Sequence, residues 1–358
     1  MPLFLPSVTP NAPTPELNAR TIIVTGPTAG LGLETCRQLM KLGCETLVLA
    51  CRDVSKGLQV SERLLSETTG KQSQNQRPPS VKVMRLDLAD FGSVQSFASR
   101  VKSEVPVVDT LILNAGVGFV GDLQFTTDGH EITFQTNYLS NVLLVLELLP
   151  HMYKSSRESG ITGRITWLGS RSADKSRLGL KILLGESSIF AYMNSPTQYS
   201  VKDRYADTKL LCQAFIYMLA ERLALPGLPL IDNASEVDDD SSNLFSVCDE
   251  DPPASVIINM VCPGLVETNF CYKHLHLWAR LFVLLLLFLA ARSVEEGGWI
   301  IVYAAAVAGD NSHGQFLLDK DIKPKPASLE SADGKQFQHL VWKETMMEMR
   351  KLRNCTGF

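Results

Sequence analysis

The stretch Thr21–Gly43, TIIVTGPTAGLGLETCRQLMKLG, constrains the fold more than any other. A β-branched run ends in glycine, a glycine-punctuated turn follows, and apolar residues then recur at helical spacing up to a closing glycine. The alternation repeats downstream. ETLVLACR (45–52), VKVMRLDL (81–88), DTLILNAG (109–116), GRITWLGS (163–170) and SVIINMVCPG (255–264) read as strands, with helical patterns between them, notably at 130–155 and 200–224. TLILN and VIINMV are apolar at nearly every position, as strands covered on both faces must be. The pattern predicts an α/β, doubly wound parallel sheet with helices on both faces. In such folds ligands sit at the carboxyl ends of the strands.

The charge balance excludes one class of partner. With 20% charged residues and a net charge of −4, the chain lacks the basic excess that nucleic-acid phosphates demand. The eight cysteines form no CxxC pair and no His clusters with them at metal spacing, which predicts free thiols in a reducing compartment and no metal site. Residues 1–19 form a Pro-rich, flexible lead-in without the charged n-region of a secretory signal. Residues 20–320 form a single folded domain, and 321–358 a C-terminal extension. Residues 228–253 carry acidic side chains and no Lys or Arg, which predicts a surface insertion. Residues 171–198 read as irregular. Ser293 and Glu296 form a capping-box signature opening a helix at 294–308, and QFLLD (315–319) reads as a last strand.

Thr25, Gly26, Gly30, Leu31 and Gly32 lie where a strand turns into a helix. Glycines there let a backbone approach a pyrophosphate, and the helix start offers free N–H groups. The spacing GxxxGxG resembles the short-chain dehydrogenase/reductase family, whose fold is of the Rossmann type. Further stretches agree in order. LDL (86–88) resembles the adenine-side motif, with Asp87 and Leu88, and LNAG resembles NNAG, with Asn114, Ala115 and Gly116. Asn137 in FQTNYLS, Ser170, Tyr205-Ala-Asp-Thr-Lys209 and Pro263-Gly264-Leu-Val266-Glu-Thr268 complete the set. The run ACRDVSKG resembles the NADP-preferring, retinol-dehydrogenase-like branch, and the extra loops resemble fungal members. At the end of the second strand, where an NAD enzyme places a carboxylate on the ribose, stand Cys51 and Arg52. A guanidinium there suits a 2′-phosphate and favours NADP(H) over NAD(H). Asp53 is the counter-reading.

Tyr205 and Lys209 are four apart on a predicted helix and share a face. Reduction of a carbonyl leaves an oxygen that must gain a proton, and a nearby ammonium favours the phenolate of the donor tyrosine. Tyr199 and Tyr192 have Asp203 and Pro196 at that spacing, so Tyr205 alone fits. The resemblance implies that Lys209 holds the nicotinamide ribose, that Ser170 donates to the substrate oxygen, that Asn137 holds a water linking Lys209 to solvent, and that Thr268 contacts the cofactor. Ser172 is the rival to Ser170, and register from RITWLGS favours Ser170. The stretch from Ser170 to Tyr205 is longer than in typical members, as it is in the retinol-dehydrogenase-like branch.

The run Arg280–Arg292, RLFVLLLLFLAAR, poses a separate question. Its apolar part spans only about 16 Å as a helix, against about 30 Å of hydrocarbon, so it does not predict a membrane crossing. Lying where the family builds its substrate cover, 272–291 reads as an apolar lid, with a peripheral membrane contact through 277–291 as a further expectation. The expected activity is an NADP-dependent oxidoreductase of the cytoplasm acting on a ketone, aldehyde or alcohol of a bulky apolar molecule (polyketide, terpenoid, steroid or retinoid-like), such as occurs in specialised metabolism. The alternatives are a low-turnover NADP-binding sensor or scaffold and a non-redox isomerase or dehydratase. Family members commonly dimerise through the helices at 130–155 and 200–224, which makes a homodimer a further expectation.

Overall fold

A computed structural model describes residues 17–69, 79–118, 120–185, 188–224, 255–266 and 291–356. Its strands are β1 (Thr21–Thr25), β2 (Thr46–Cys51), β3 (Ser80–Arg85), β4 (Thr110–Leu113), β5 (Gly163–Leu168), β6 (Val256–Cys262), β7 (Phe316–Leu318) and β8 (Asp321–Lys323). They form one sheet in the order β3-β2-β1-β4-β5-β6-β7-β8. β1 to β7 pair in parallel, and β8 returns antiparallel to β7. The strand order reverses between β1 and β4, the place where a doubly wound sheet opens a crevice. Every residue of β4 and β6 is buried, as their unbroken apolar runs require.

Helices α1 (Gly30–Lys41), α2 (Val54–Thr69) and α3 (Phe91–Glu104) connect the first four strands. After β4 come a single turn α4 (Ile132–Phe134), a π-helical turn at Gln135–Leu139 and α5 (Ser140–Ser159). The stretch after β5 is more ordered than its composition suggests. It holds a 3-10 turn at Arg171–Lys175 and two short helices, α6 (Leu178–Leu184) and α7 (Ile189–Asn194), before α8 (Val201–Leu223). Beyond β6 lies α9 (Val294–Val302), opened by the expected capping box: Ser293 accepts from the Glu296 N–H while Glu296 accepts from Ser293. It runs into a π-helical turn at Tyr303–Val307.

The residues after 320 belong to the packed body. They form β8, the turn α10 (Ala327–Glu330) and α11 (Ala332–Thr356), and α11 packs along α8. Trp342 stacks on Phe215 at 5.3 Å between ring centroids, and Tyr138 hydrogen-bonds Thr345 at 2.7 Å. Phe337, Val341, Met346 and Met349 are buried in the same cluster as Trp167 and Leu148. Every residue of α8 from Ala206 to Ala220 is buried within the single chain. The chain's own C-terminal helix thus packs on α8, the helix that carries Tyr205 and Lys209. Among the described residues no helix is long and apolar enough to cross a membrane.

Candidate active site

The carboxyl ends of β1 and β4 are tied together by one side chain. Asn114 donates through Nδ2 to the carbonyls of Thr25 (2.9 Å) and Gly26 (3.1 Å), and the Ala115 N–H donates to Thr25 Oγ1 at 3.0 Å. Gly26 and Gly30 both take positive φ, +65° and +53°, which lets the loop double back before α1. A Cβ on Gly32 would lie 2.2 Å from the Gly26 carbonyl oxygen and 2.4 Å from Asn114 Nδ2. Leu31 and Gly32 therefore enter α1 with backbone packed against backbone. No side chain caps the α1 start at Ala29 and no acidic residue stands in its first turn, so its N–H groups face the crevice as donors. This cradle fits a pyrophosphate.

Arg52 follows β2 directly and is exposed, whereas Asp53 has a structural task. The Asp53 carboxylate accepts from the Lys56 N–H at 3.1 Å and pairs with Lys56 Nζ at 3.4 Å, which holds its carboxyl below the usual range. The side chain that caps α2 is thus the acidic one, and the guanidinium is left at the strand end. At the end of β3, Asp87 Oδ1 accepts from the Ala89 N–H at 3.1 Å. The Leu88 side chain is buried while its carbonyl accepts from the Ser140 hydroxyl at 2.7 Å, so Leu88 shapes this corner from inside the core.

Lys209 is buried, and its Nζ donates to the carbonyl of Leu168, the last residue of β5, at 2.7 Å. Nζ lies 5.6 Å from the centroid of the partly exposed Tyr205 ring. Burial pushes the Lys209 ammonium below the ordinary lysine range, and the nearby Cys212 and Cys262 thiols oppose the shift. Two residues past Leu168, Ser170 caps the 3-10 turn. Its Oγ accepts from both the N–H (3.2 Å) and the hydroxyl (2.9 Å) of Ser172. The rival serine is therefore a donor to Ser170, and the Ser170 hydroxyl keeps its own proton to offer. Ser176 Oγ donates to Asp207 Oδ1 at 2.6 Å, fastening the segment after Ser170 to α8 beside Tyr205.

Asn137 sits in the π-helical turn and is 1% exposed, so its carboxamide has no face toward bulk water. Its Oδ1 accepts from the Val117 N–H and its Nδ2 donates to the Val117 carbonyl, both at 2.7 Å, clamping the chain just after Asn114-Ala115-Gly116. Nδ2 also reaches Thr208 Oγ1 at 3.2 Å. Its main-chain carbonyl accepts from Asn141 Nδ2 at 3.2 Å and from the Cys212 thiol at 3.4 Å. The Asn137 side chain thus clamps the chain after β4 to α8. Asn141, one helical turn on, satisfies the carbonyls that the π turn frees. Its polarity on an apolar face was the signal in the sequence.

Pro263 and Gly264 close the β6 end. Here the structure adds a partner that motif matching missed. Arg292, the closing arginine of RLFVLLLLFLAAR, is 1% exposed and forms a two-pronged ion pair with Asp319, whose second contact measures 2.7 Å. It also donates to the Pro263 carbonyl at 3.3 Å, and its N–H donates to the Leu265 carbonyl at 2.8 Å. Val266 and Arg292 form a parallel bridge. Thr268 and the 272–290 part of the expected lid lie outside the described residues, as do the acidic stretch 228–253 and residues 1–16.

A family model described as short chain dehydrogenase matches residues 20–181. Short chain dehydrogenase yanD of Aspergillus niger is 40% identical over 98% of this chain and 96% of its own length. Short chain dehydrogenase macD of Penicillium terrestre is 39% identical, covering 98% and 97%. In fold, the chain is similar to an NADP-bound 3-oxoacyl (acyl-carrier-protein) reductase of Agrobacterium tumefaciens, with a TM-score of 0.58 and 18% identity over 88% of this chain and 98% of that one. The sheet order, the glycine cradle and identity to fungal relatives along nearly the whole chain agree: this is an oxidoreductase of the short chain dehydrogenase family, built to hold a nicotinamide cofactor.

Proposed function

We propose that the protein is an NADP(H)-dependent enzyme that interconverts a ketone or aldehyde and an alcohol on a bulky, apolar small molecule. The observation that carries this reading is the Tyr205–Lys209 arrangement: a buried ammonium, fixed by the Leu168 carbonyl, 5.6 Å from the ring of a tyrosine that reaches the surface of the crevice. A bound NADPH would supply the hydride that the carbonyl carbon accepts. The chain's own residues handle the oxygen. Tyr205 Oη gives it a proton, and the Lys209 charge favours the phenolate left behind. The Ser170 hydroxyl, already accepting two hydrogen bonds, is free to donate to the same oxygen as negative charge develops there. In the oxidative direction Tyr205 takes the proton back.

Arg52 supports NADP(H) over NAD(H), because Asp53 is committed to capping α2. The apolar run within 272–291 supports a cover over an apolar substrate. Relatives from Aspergillus and Penicillium make fungal specialised metabolism the setting this reading favours. The test is turnover against a panel of bulky ketones and alcohols with NADPH and with NADH, in the wild type and in Tyr205→Phe. Loss of at least about a thousandfold in kcat for the variant is expected, since it removes the proton donor itself. Wild-type turnover by Tyr205→Phe sinks the catalytic assignment, and better turnover with NADH sinks the role of Arg52.

A further inference from the structure

Immediately before Tyr205 stands Arg204, only 2% exposed, and it is not a member of the YxxxK motif. Its Nε lies 3.7 Å from Oε2 of Glu131, which is fully buried. Burying two charges is costly, and an ion pair this loose compensates poorly. The guanidinium nevertheless touches three further residues. Its Nη1 donates to Met193 Sδ at 2.9 Å, and its carbon lies 5.8 Å and 5.6 Å from the ring centroids of Tyr192 and Tyr199.

Each contact leads toward the crevice. Glu131 accepts from the N–H groups of Thr133 (3.0 Å) and Phe134 (2.9 Å), and so starts the helical path into the π turn that carries Asn137. The Glu131 N–H donates to Asn194 at the end of α7. Tyr199 donates to the Val120 carbonyl at 2.7 Å, a few residues beyond Gly116. Met193 and Tyr192 belong to α7, within the enlarged stretch between Ser170 and Tyr205. One buried cation thus touches or reaches through one residue the Asn137 turn, the chain after β4, the enlarged loop and the first turn of α8.

We propose that Arg204 is a positioning residue: paired with Glu131, it sets the register of Tyr205 against Asn137 and couples that register to the enlarged loop at 171–198. The proposal rests on Tyr205 being the proton-transfer group. Other titratable groups near the pair are Asp203 and Asp207 on α8, Lys181 on α6, Asp122 after β4, and His130, which shares Asn194 with Glu131 and faces Glu348 on α11. All stay in place in the variants below.

The test compares Arg204→Met, Arg204→Lys and the near-isosteric Glu131→Gln with the wild type and Tyr205→Phe. Two quantities are read. The first is kcat per NADPH-binding site, counted by fluorescence titration. The second is the Tyr205 phenolate titration with NADP+ bound, taken at 295 nm as each protein minus its own Tyr205→Phe counterpart. Expected are an NADPH Kd within about threefold of wild type and a kcat at least tenfold lower for Arg204→Met, with smaller losses for the other two. The titration midpoint should rise in Arg204→Met, where Glu131 is left unpaired, and fall in Glu131→Gln, where Arg204 is. A purely structural pair changes how much protein folds but not kcat per binding site. Wild-type kcat per site in all variants, or midpoints that stay put or move together, overturns the proposal. Glu131→Gln and Arg204→Lys keep it testable if Arg204→Met does not fold. Unchanged turnover in Tyr205→Phe overturns the catalytic reading instead, so the two failures are distinct.

Discussion

Gly32→Ala perturbs the cofactor cradle with the smallest possible side chain. The new Cβ would lie 2.2 Å from the Gly26 carbonyl oxygen and 2.4 Å from Asn114 Nδ2. Neither can move freely, because Asn114 Nδ2 is the donor that holds the Thr25 and Gly26 carbonyls. The Gly26 carbonyl must retreat by about 0.8 Å, to a tolerable 3.0 Å, in a tightly packed turn. Overpacking of this kind costs about 1–3 kcal/mol. Loss of the two Asn114 hydrogen bonds adds about 1 kcal/mol each. A total of about 3–5 kcal/mol corresponds to a fall in Tm of roughly 6–15 °C. Rebuilding the cradle around a pyrophosphate consumes part of the binding energy, and about 1.4 kcal/mol is tenfold in Kd, so the NADPH Kd should rise about 10- to 100-fold. Fluorescence titration of NADPH and thermal melts with and without it measure both effects. Gly121→Ala, whose Cβ meets nothing within 4 Å, is the neutral control. A Gly32→Ala protein with an NADPH Kd within threefold of wild type and an unchanged Tm would refute the close-packed cradle.

Arg52→Ala should weaken NADPH binding by about 10- to 100-fold, the worth of a charge-assisted hydrogen bond, and leave NADH binding unchanged; equal losses for both cofactors would remove Arg52 from the 2′-phosphate. Trp342→Ala should cost about 3–5 kcal/mol by denaturant titration, since it empties the stack on Phe215 and removes the ring that Arg222 approaches at 4.2 Å. A loss under 1 kcal/mol would mean that α11 is a loosely held appendage. Lys209→Met should abolish turnover and flatten one part of the stability–pH curve. Because burial lowers the native pKa of Lys209, the wild type gains stability as pH rises from that lowered value to the unfolded value near 10.4, and below the window the buried charge is a burden. The variant lacks that rise; an identical slope in both proteins would show that Lys209 is not desolvated.

The C-terminal helix bears on assembly. Trp342 of α11 stacks on Phe215 of α8, and Thr345 bonds Tyr138 in the π turn before α5, within one chain. Light scattering on the full chain reads the assembly state directly.

Much of the fold was legible in the sequence because its signals are local. Alternating β-branched runs and helical patterns marked seven strands within a few residues of their observed ends, and Ser293/Glu296 marked the start of α9. The family motifs singled out Asn114, Asn137, Ser170, Tyr205 and Lys209 as candidates, since each depends on spacing along one element. Short range was also the limit. The helices in 171–198 are brief and draw their stability from α8 and α11, so no period of their own announced them. The π turn at Asn137 depends on side chains that reach across a turn, and the return strand β8 on pairing with β7. That Asp53 caps while Arg52 stays exposed, that Ser172 serves Ser170, and that Arg292 pairs with Asp319 and Arg204 with Glu131 were decided only in the tertiary structure. A charged or hydroxyl side chain reads alike in sequence whether it faces water or a buried partner. Its role is set by which distant segment the folded sheet places within hydrogen-bonding distance.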